Sequence, residues 1–113
     1  MAFENEEEKR KFLGFVGLCR RAGKTVCGTP MVCAELGKKK KPSLVLYAEG
    51  ASAATQKKVA VKCEFYGVRA VALAVTPAEL GKAVGKTGNL AALAVMDEGF
   101  ANAMIAKLTP KQA

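Results

Sequence analysis

The chain has 113 residues, with 18 Lys plus Arg against 10 Asp plus Glu and no His, for a formal charge of +8. That length suits one domain spanning 1–113 with one modest core, and a hydrophobic fraction of 50% argues against wholesale disorder. No apolar run reaches the roughly 20 residues that cross a bilayer, since Lys or Arg interrupts the longest stretches, so no membrane partner is expected.

The opening MAFENEEEKRK holds no hydrophobic signal core, which places the protein in the cytoplasm as an expectation. Its acidic residues 1–8 are read as a start that can fray. From Asn5 to Arg21, acidic Glu6 to Glu8 precede basic Lys9 to Lys11, and Phe12, Phe15 or Val16, and Cys19 recur at helical spacing. Ala22 and Gly23 stop this first helix, and Lys24 to Cys27 form a short β-branched strand candidate. A second helix is predicted after Gly28, with Thr29 as its cap and Pro30 at its first position, ended by Gly37 and Pro42.

Leu44 to Ala48, Ala70 to Val75 and Leu90 to Val95 are short continuous apolar runs, the pattern of strands covered on both faces. Between the first two, Ser52 caps a helix to Tyr66 that places Val59, Cys63 and Tyr66 on one face and Lys58 and Lys62 on another, with Gly67 as terminator. Between the last two, Thr76, Pro77, Ala78 and Glu79 spell a capping box, and Gly85 marks the end of that helix. Asp97 caps a final helix carrying Phe100, Ala103 or Met104, and Leu108 on its apolar side. Strands alternating with helices imply an α/β fold: a single-domain three-layer α/β/α sandwich, with helices on both faces of a largely parallel or mixed sheet of about four strands.

The chemistry available is thin. Cys19, Cys27, Cys33 and Cys63 lie 8, 6 and 30 positions apart with no Cys-x-x-Cys pair, and no His can complete a zinc shell, so neither a metal nor a cofactor is expected. Asp97 is the sole aspartate, and without His there is no ready proton shuttle near neutral pH. An enzyme is therefore not expected; the residual catalytic reading is a thiolate at Cys27 or Cys33 beside Lys24. Two segments imitate a phosphate loop, Gly17 to Thr25 and Gly81 to Thr87. The first is one residue too long and the second one too short for successive amides to wrap a phosphate, and both follow predicted helices. They read as helix-terminating glycines beside solvated lysines.

Positive charge is unevenly spread. Positions 9–86 hold 16 basic residues against Glu35, Glu49, Glu64 and Glu79, whereas the remainder to the C-terminus is balanced. A polyanion is the natural partner of such a surface, because Lys and Arg neutralise phosphates and release condensed counterions. With no Trp and two Tyr, recognition of a folded RNA's backbone fits better than a stacked single strand. The helix starting near Thr29 adds open amides and the positive end of a dipole, with Lys24 close in sequence and Gly28 allowing close approach.

Several segments together carry a resemblance. Leu18-Cys19-Arg20-Arg21-Ala22-Gly23-Lys24, Leu44 to Glu49, Thr55 to Lys58, Cys63 to Val68, Glu79 to Lys86 and Asp97 to Ala101 are similar, in order and spacing, to the bacterial YlxQ-like branch of the kink-turn RNA-binding ribosomal protein superfamily. The resemblance runs from about Phe12 to Leu108, and it implies a non-catalytic, ribosomal-protein-like RNA-binding domain. Its RNA-reading helix begins Gly-x-Asn-Glu-x-x-Lys; with that glycine on Gly28, Pro30, Met31 and Ala34 replace the asparagine, glutamate and lysine, while backbone approach at Gly28 and Thr29 is retained. It further implies a hydrophobic-loop contact at Val68, Arg69 and Ala70, and a loop contact at Glu49, Gly50 and Ala51.

The expected partner is thus a ribosomal or other structured RNA, in a ribosome or ribonucleoprotein assembly. The RNA docks against the Gly28–Thr29 helix start and the Val68–Arg69 loop, with backbone contacts from Lys24, Lys38, Lys39, Lys40, Lys41, Lys57, Lys58 and Arg69. The competing expectation is a protein-interaction adaptor on the same fold that has lost sequence-selective readout along with the Asn and Glu.

Overall fold

Charge and apolar spacing define the first helix, α1 (Glu6–Arg21), in the computed structural model, which describes residues 3–108. The Asn5 side chain accepts a hydrogen bond from the Glu8 amide at 2.8 Å, and Glu6 to Glu8 sit at the positive end of the helix dipole. Its buried face is Phe12, Val16, Gly17 and Cys19. There follow β1 (Thr25–Cys27), α2 (Thr29–Leu36), β2 (Leu44–Ala48), α3 (Ala53–Tyr66), β3 (Ala70–Leu73), α4 (Pro77–Ala83), β4 (Ala92–Val95) and α5 (Glu98–Leu108).

The caps read from the sequence are present with one exception. Ser52 accepts from the Thr55 amide at 3.2 Å, Thr76 and Glu79 form a reciprocal capping box, and Asp97 accepts from the Phe100 amide at 2.9 Å. The exception is α2: its cap is Gly28, at φ 101°, and Thr29 is already the first helical residue, with no side-chain cap. Gly28 holds a conformation that a side chain resists, so the chain turns from β1 into α2 with no connecting loop. Two strands are also shorter than their apolar runs. β3 ends at Leu73, where the Val75 amide turns back to Leu73 O at 2.7 Å, and β4 begins at Ala92, after the Leu90 amide donates to Pro77 O at 2.9 Å.

The sheet has the order β1-β4-β2-β3, with β2 and β3 parallel and β4 antiparallel to both β1 and β2. Side chains from opposite faces of the sheet enter two cores. Leu44, Leu46, Leu93 and Val95 pack with α1, α4 and α5, and Val45, Ala92 and Ala94 pack with α2 and α3. This is the three-layer α/β/α sandwich, and its sheet is mixed.

The two imitation phosphate loops are resolved by packing. Gly17 lies inside α1 where an added Cβ would fall 2.6 Å from Ala83 O, and Gly81 lies inside α4 where a Cβ would meet the carbonyl of Gly88. Both serve close approach between backbone segments, not ion binding. Lys9 Nζ pairs with Glu79 Oε2 at 2.7 Å and ties α1 to α4. The hydrogen bond from Lys9, with that from the Thr76 amide, holds the Glu79 carboxyl below the usual range.

Candidate functional site

Mixed strand direction decides which loops meet. The ends of β1 and β2 and the start of β4 share one end of the sheet, as the pairs Cys27 with Leu93 and Tyr47 with Ala92 require. Three loops are fastened there by backbone bonds: Gly28 N to Ala92 O at 2.9 Å, Ala48 N to Ala91 O at 2.9 Å, and Gly50 N to Val75 O at 3.1 Å. Gln56 Nε2 adds bonds to Glu49 O and Ala51 O at 3.0 and 2.9 Å, which holds the turn between β2 and α3.

The result is a shallow cleft of about 460 Å³, lined by Gly28 to Pro30, Gly50 to Ser52, Thr55, Pro77, Lys86 and Asn89 to Ala91. Two helices open towards it. At α3, Ser52 occupies one of the free amides; at α2 no side chain does so, and the amides of Thr29 and Met31 have no hydrogen-bond acceptor among the described residues. Pro30 has no amide to offer. Lys86 is the charged residue of the lining, and Met31 beside the cleft is 56% exposed. Fixed donors, the positive end of a dipole and one ammonium group suit a phosphate, while Asn89 can pair with a base or sugar edge.

The structure divides the residues chosen from the sequence into two groups. Gly28, Thr29 and Pro30 line the cleft with Gly50 and Ala51, and Met31 and Glu49 lie next to them in the chain. Lys57 and Lys58 are exposed in α3 just beyond Thr55. Lys24, Lys38 to Lys41, Val68, Arg69 and Ala70 lie at the other end of the sheet. The backbone of Lys24 accepts from Met96 past the end of β4, and Arg69 O accepts from Val45 at the start of β2. Four residue steps along β2 separate the two ends, about 13 Å. Val68 and Ala70 are half-buried against the α2–α3 core, so this loop presents no hydrophobic contact beside Gly28.

The expected second contact is thus separate from the cleft. Next to Gly28 the structure places Lys86 to Ala91, the loop between α4 and β4, which the sequence reading treated only as a failed phosphate motif. The signal was a turn-rich Gly85-Lys86-Thr87-Gly88-Asn89 directly before an apolar strand. What hid its place was strand direction: in an all-parallel sheet, the start of β4 would lie away from the ends of β1 and β2.

The thiols show no catalytic grouping. Cys19 and Cys63 are buried, and burial pushes both up to about 11. Cys27 and Cys33 are half-buried, and Cys27 has Thr25 Oγ1 at 3.9 Å from its sulfur. Iodoacetamide at pH 8 is therefore expected to label Cys27 and Cys33 in the folded protein, with Cys19 and Cys63 reacting only on unfolding. Mass spectrometry of the labelled chain checks this, and rapid labelling of one thiol at pH 6 would contradict it.

Residues 10–105 match the Ribosomal protein L7Ae/L30e/S12e/Gadd45 family. The chain is 40% identical over 93 residues to a Bacillus subtilis protein named RNA-binding protein YlxQ, covering 82% of this chain and 90% of that one. It is 33% identical over 97 residues to an Enterococcus faecium protein of the same name, covering 86% and 90%. Among solved structures, a Bacillus halodurans protein described as of unknown function superposes with TM-score 0.77 at 28% identity, covering 86% of this chain and 95% of that one. A Giardia lamblia 15.5kD RNA binding protein shares the fold, with TM-score 0.71 at 20% identity and coverage of 93% and 88%.

Proposed function

The chain belongs to the Ribosomal protein L7Ae/L30e/S12e/Gadd45 family, and from that premise we propose that it is a non-catalytic RNA-binding protein that seats a folded, kink-turn-like RNA in the cleft at the start of α2. The observation that carries this reading is the uncapped start of α2 opening into a cleft whose charged residue is Lys86. The names of the relatives point the same way.

The mode of recognition follows from the side chains present. Pro30, Met31 and Ala34 cannot supply the amide, carboxylate and ammonium of the resembling pattern, so the cleft reads backbone shape through the amides of Thr29 and Met31 and through Lys86. A sharply bent RNA presents phosphates and splayed edges at such a concave site, whereas a regular A-form helix offers only its outer surface. At the start of α3, Ser52 Oγ lies 3.0 Å from Thr55 Oγ1. A ribosomal or ribonucleoprotein setting in the cytoplasm goes with this reading.

The test is fluorescence anisotropy with a labelled kink-turn RNA and a straight duplex of matched length. The kink-turn RNA is expected to bind more tightly, to lose tenfold or more in affinity from 50 to 200 mM salt, and to lose about tenfold with Lys86→Glu. Equal affinity for both RNAs, or a Lys86→Glu protein that binds as well as the parent, would overturn the reading.

A further inference from the structure

Helix α3 carries a second surface at its far end. Phe65 is 79% exposed and Val61, one turn before it, 52% exposed, while Lys58 and Lys62 fall on the same stripe at helical spacing. An exposed Phe with an aliphatic neighbour gains little burial from folding, and its ring meets Tyr66 edge-on, centroids 4.9 Å apart at 87°. Tyr66 in turn lies under Lys41 Nζ at 5.1 Å and beside Gly37, which joins this end of α3 to the lysine loop after α2.

That loop and the residues after α3 make the surroundings basic. Lys38 is engaged by Glu35 at 2.8 Å and Lys41 by the carbonyl of Lys38 at 2.7 Å. Lys39, Lys40, Lys62 and Arg69 have no ion-pair partner among the described residues, and Glu64 is the acidic group nearest in sequence to Phe65. Ten residues of α3 separate Phe65 from Thr55 in the cleft, about 15 Å along the helix axis. A protein partner would have to match this excess of cations with carboxylates, whereas one stacked base with its neighbouring phosphates satisfies ring and ammonium groups together.

We propose that the C-terminal end of α3 and the loop at Lys38–Lys41 form a second RNA contact, separate from the cleft. There a single-stranded segment stacks one base on Phe65 and sets its phosphates against Lys39, Lys40, Lys62 and Arg69. Base-on-aromatic stacking tolerates any sequence, and its contribution is felt even with one ring. The protein then holds two RNA elements at once, a folded one in the cleft at the start of α2 and an unpaired one at the C-terminal end of α3.

The experiment titrates labelled oligouridine of about ten nucleotides, whose uniform sequence forms no stable secondary structure, into the protein alone and into protein saturated with unlabelled kink-turn RNA. Oligouridine is expected to bind in both cases. Phe65→Ala is expected to weaken it roughly tenfold and Phe65→Trp to preserve it. The double change Lys39→Glu with Lys40→Glu should flatten the salt dependence by about 0.7 in slope per lost phosphate contact, and Lys86→Glu should leave it unchanged. All of these are exposed positions, and circular dichroism confirms that each variant is folded. Absence of oligouridine binding, as a protein-docking surface would give, overturns the proposal. So does an unaltered affinity in Phe65→Ala, or displacement of oligouridine by the kink-turn RNA. If the kink-turn RNA itself does not bind, the cleft reading fails, and the titration of the protein alone still decides this second site.

Discussion

Gly81→Val is expected to destabilise the protein by about 1–3 kcal/mol and to weaken RNA binding at the cleft as well. A side chain at this position meets the carbonyl oxygen of Gly88, with the Leu90 amide 3.5 Å away. Neither is the end of a flexible side chain. The same loop is fixed by Lys86 N to Gly81 O and Leu90 N to Pro77 O, both 2.9 Å, so it can retreat only by giving up bonds that place Lys86 and Asn89 in the cleft. Calorimetry should show the midpoint falling by roughly 4–12 °C, with a parallel loss of kink-turn affinity. Gly14→Ala is the matched control. Nothing lies within 4 Å of a Cβ there, and alanine in a helix gains up to about 1 kcal/mol over glycine, so this variant should melt higher and bind unchanged. A stable, RNA-competent Gly81→Val protein would show that the α4–β4 loop is not held as described.

Leu46→Ala should have the largest effect on stability alone, about 2–5 kcal/mol. Leu46 is fully buried in β2, registers with Leu93 on one side and Val71 on the other, and packs under α1, α4 and α5. Two central strands and three helices cannot all close in on a missing isobutyl group, so a cavity remains and its lining loses contacts. Against a total stability of order 5–15 kcal/mol, this lowers the melting midpoint by roughly 10–20 °C. A shift of only a degree or two would mean that the core is looser than its burial indicates.

Much of the fold was legible because local and global preferences agree. Phe12, Val16 and Cys19 recur at helical spacing between charged residues, and the box at Thr76 to Glu79 announces α4; each feature reappears in the structure with the expected partners. The cap of α2 was misread because Thr29 is a good cap in isolation, whereas Gly28 can adopt φ 101° and so carries the turn itself. The site was half legible. Gly28 to Pro30 and Gly50 to Ala51 announce themselves as loop residues near helix starts, and the cleft contains them. Lys86 and Asn89 are not legible as cleft residues because strand direction is a long-range property, and the contact at Val68 to Ala70 comes from the resemblance alone. One antiparallel strand moves the α4–β4 loop to the cleft, and the parallel pairing of β3 with β2 keeps Val68 to Ala70 away from it. Phe65 falls on the stripe of Lys58, Val61 and Lys62, away from the face of Val59, Cys63 and Tyr66, and how far it is exposed is seen only once the helix is docked.

The most direct test of the cleft is amide chemical-shift mapping of the isotopically labelled protein during titration with a kink-turn RNA. The unpartnered amides of Thr29 and Met31 should move most, with Ser52, Lys86 and Asn89 following, and Val68 to Ala70 should stay still. Shifts centred on Val68 to Ala70, with Thr29 and Met31 unmoved, would contradict the account.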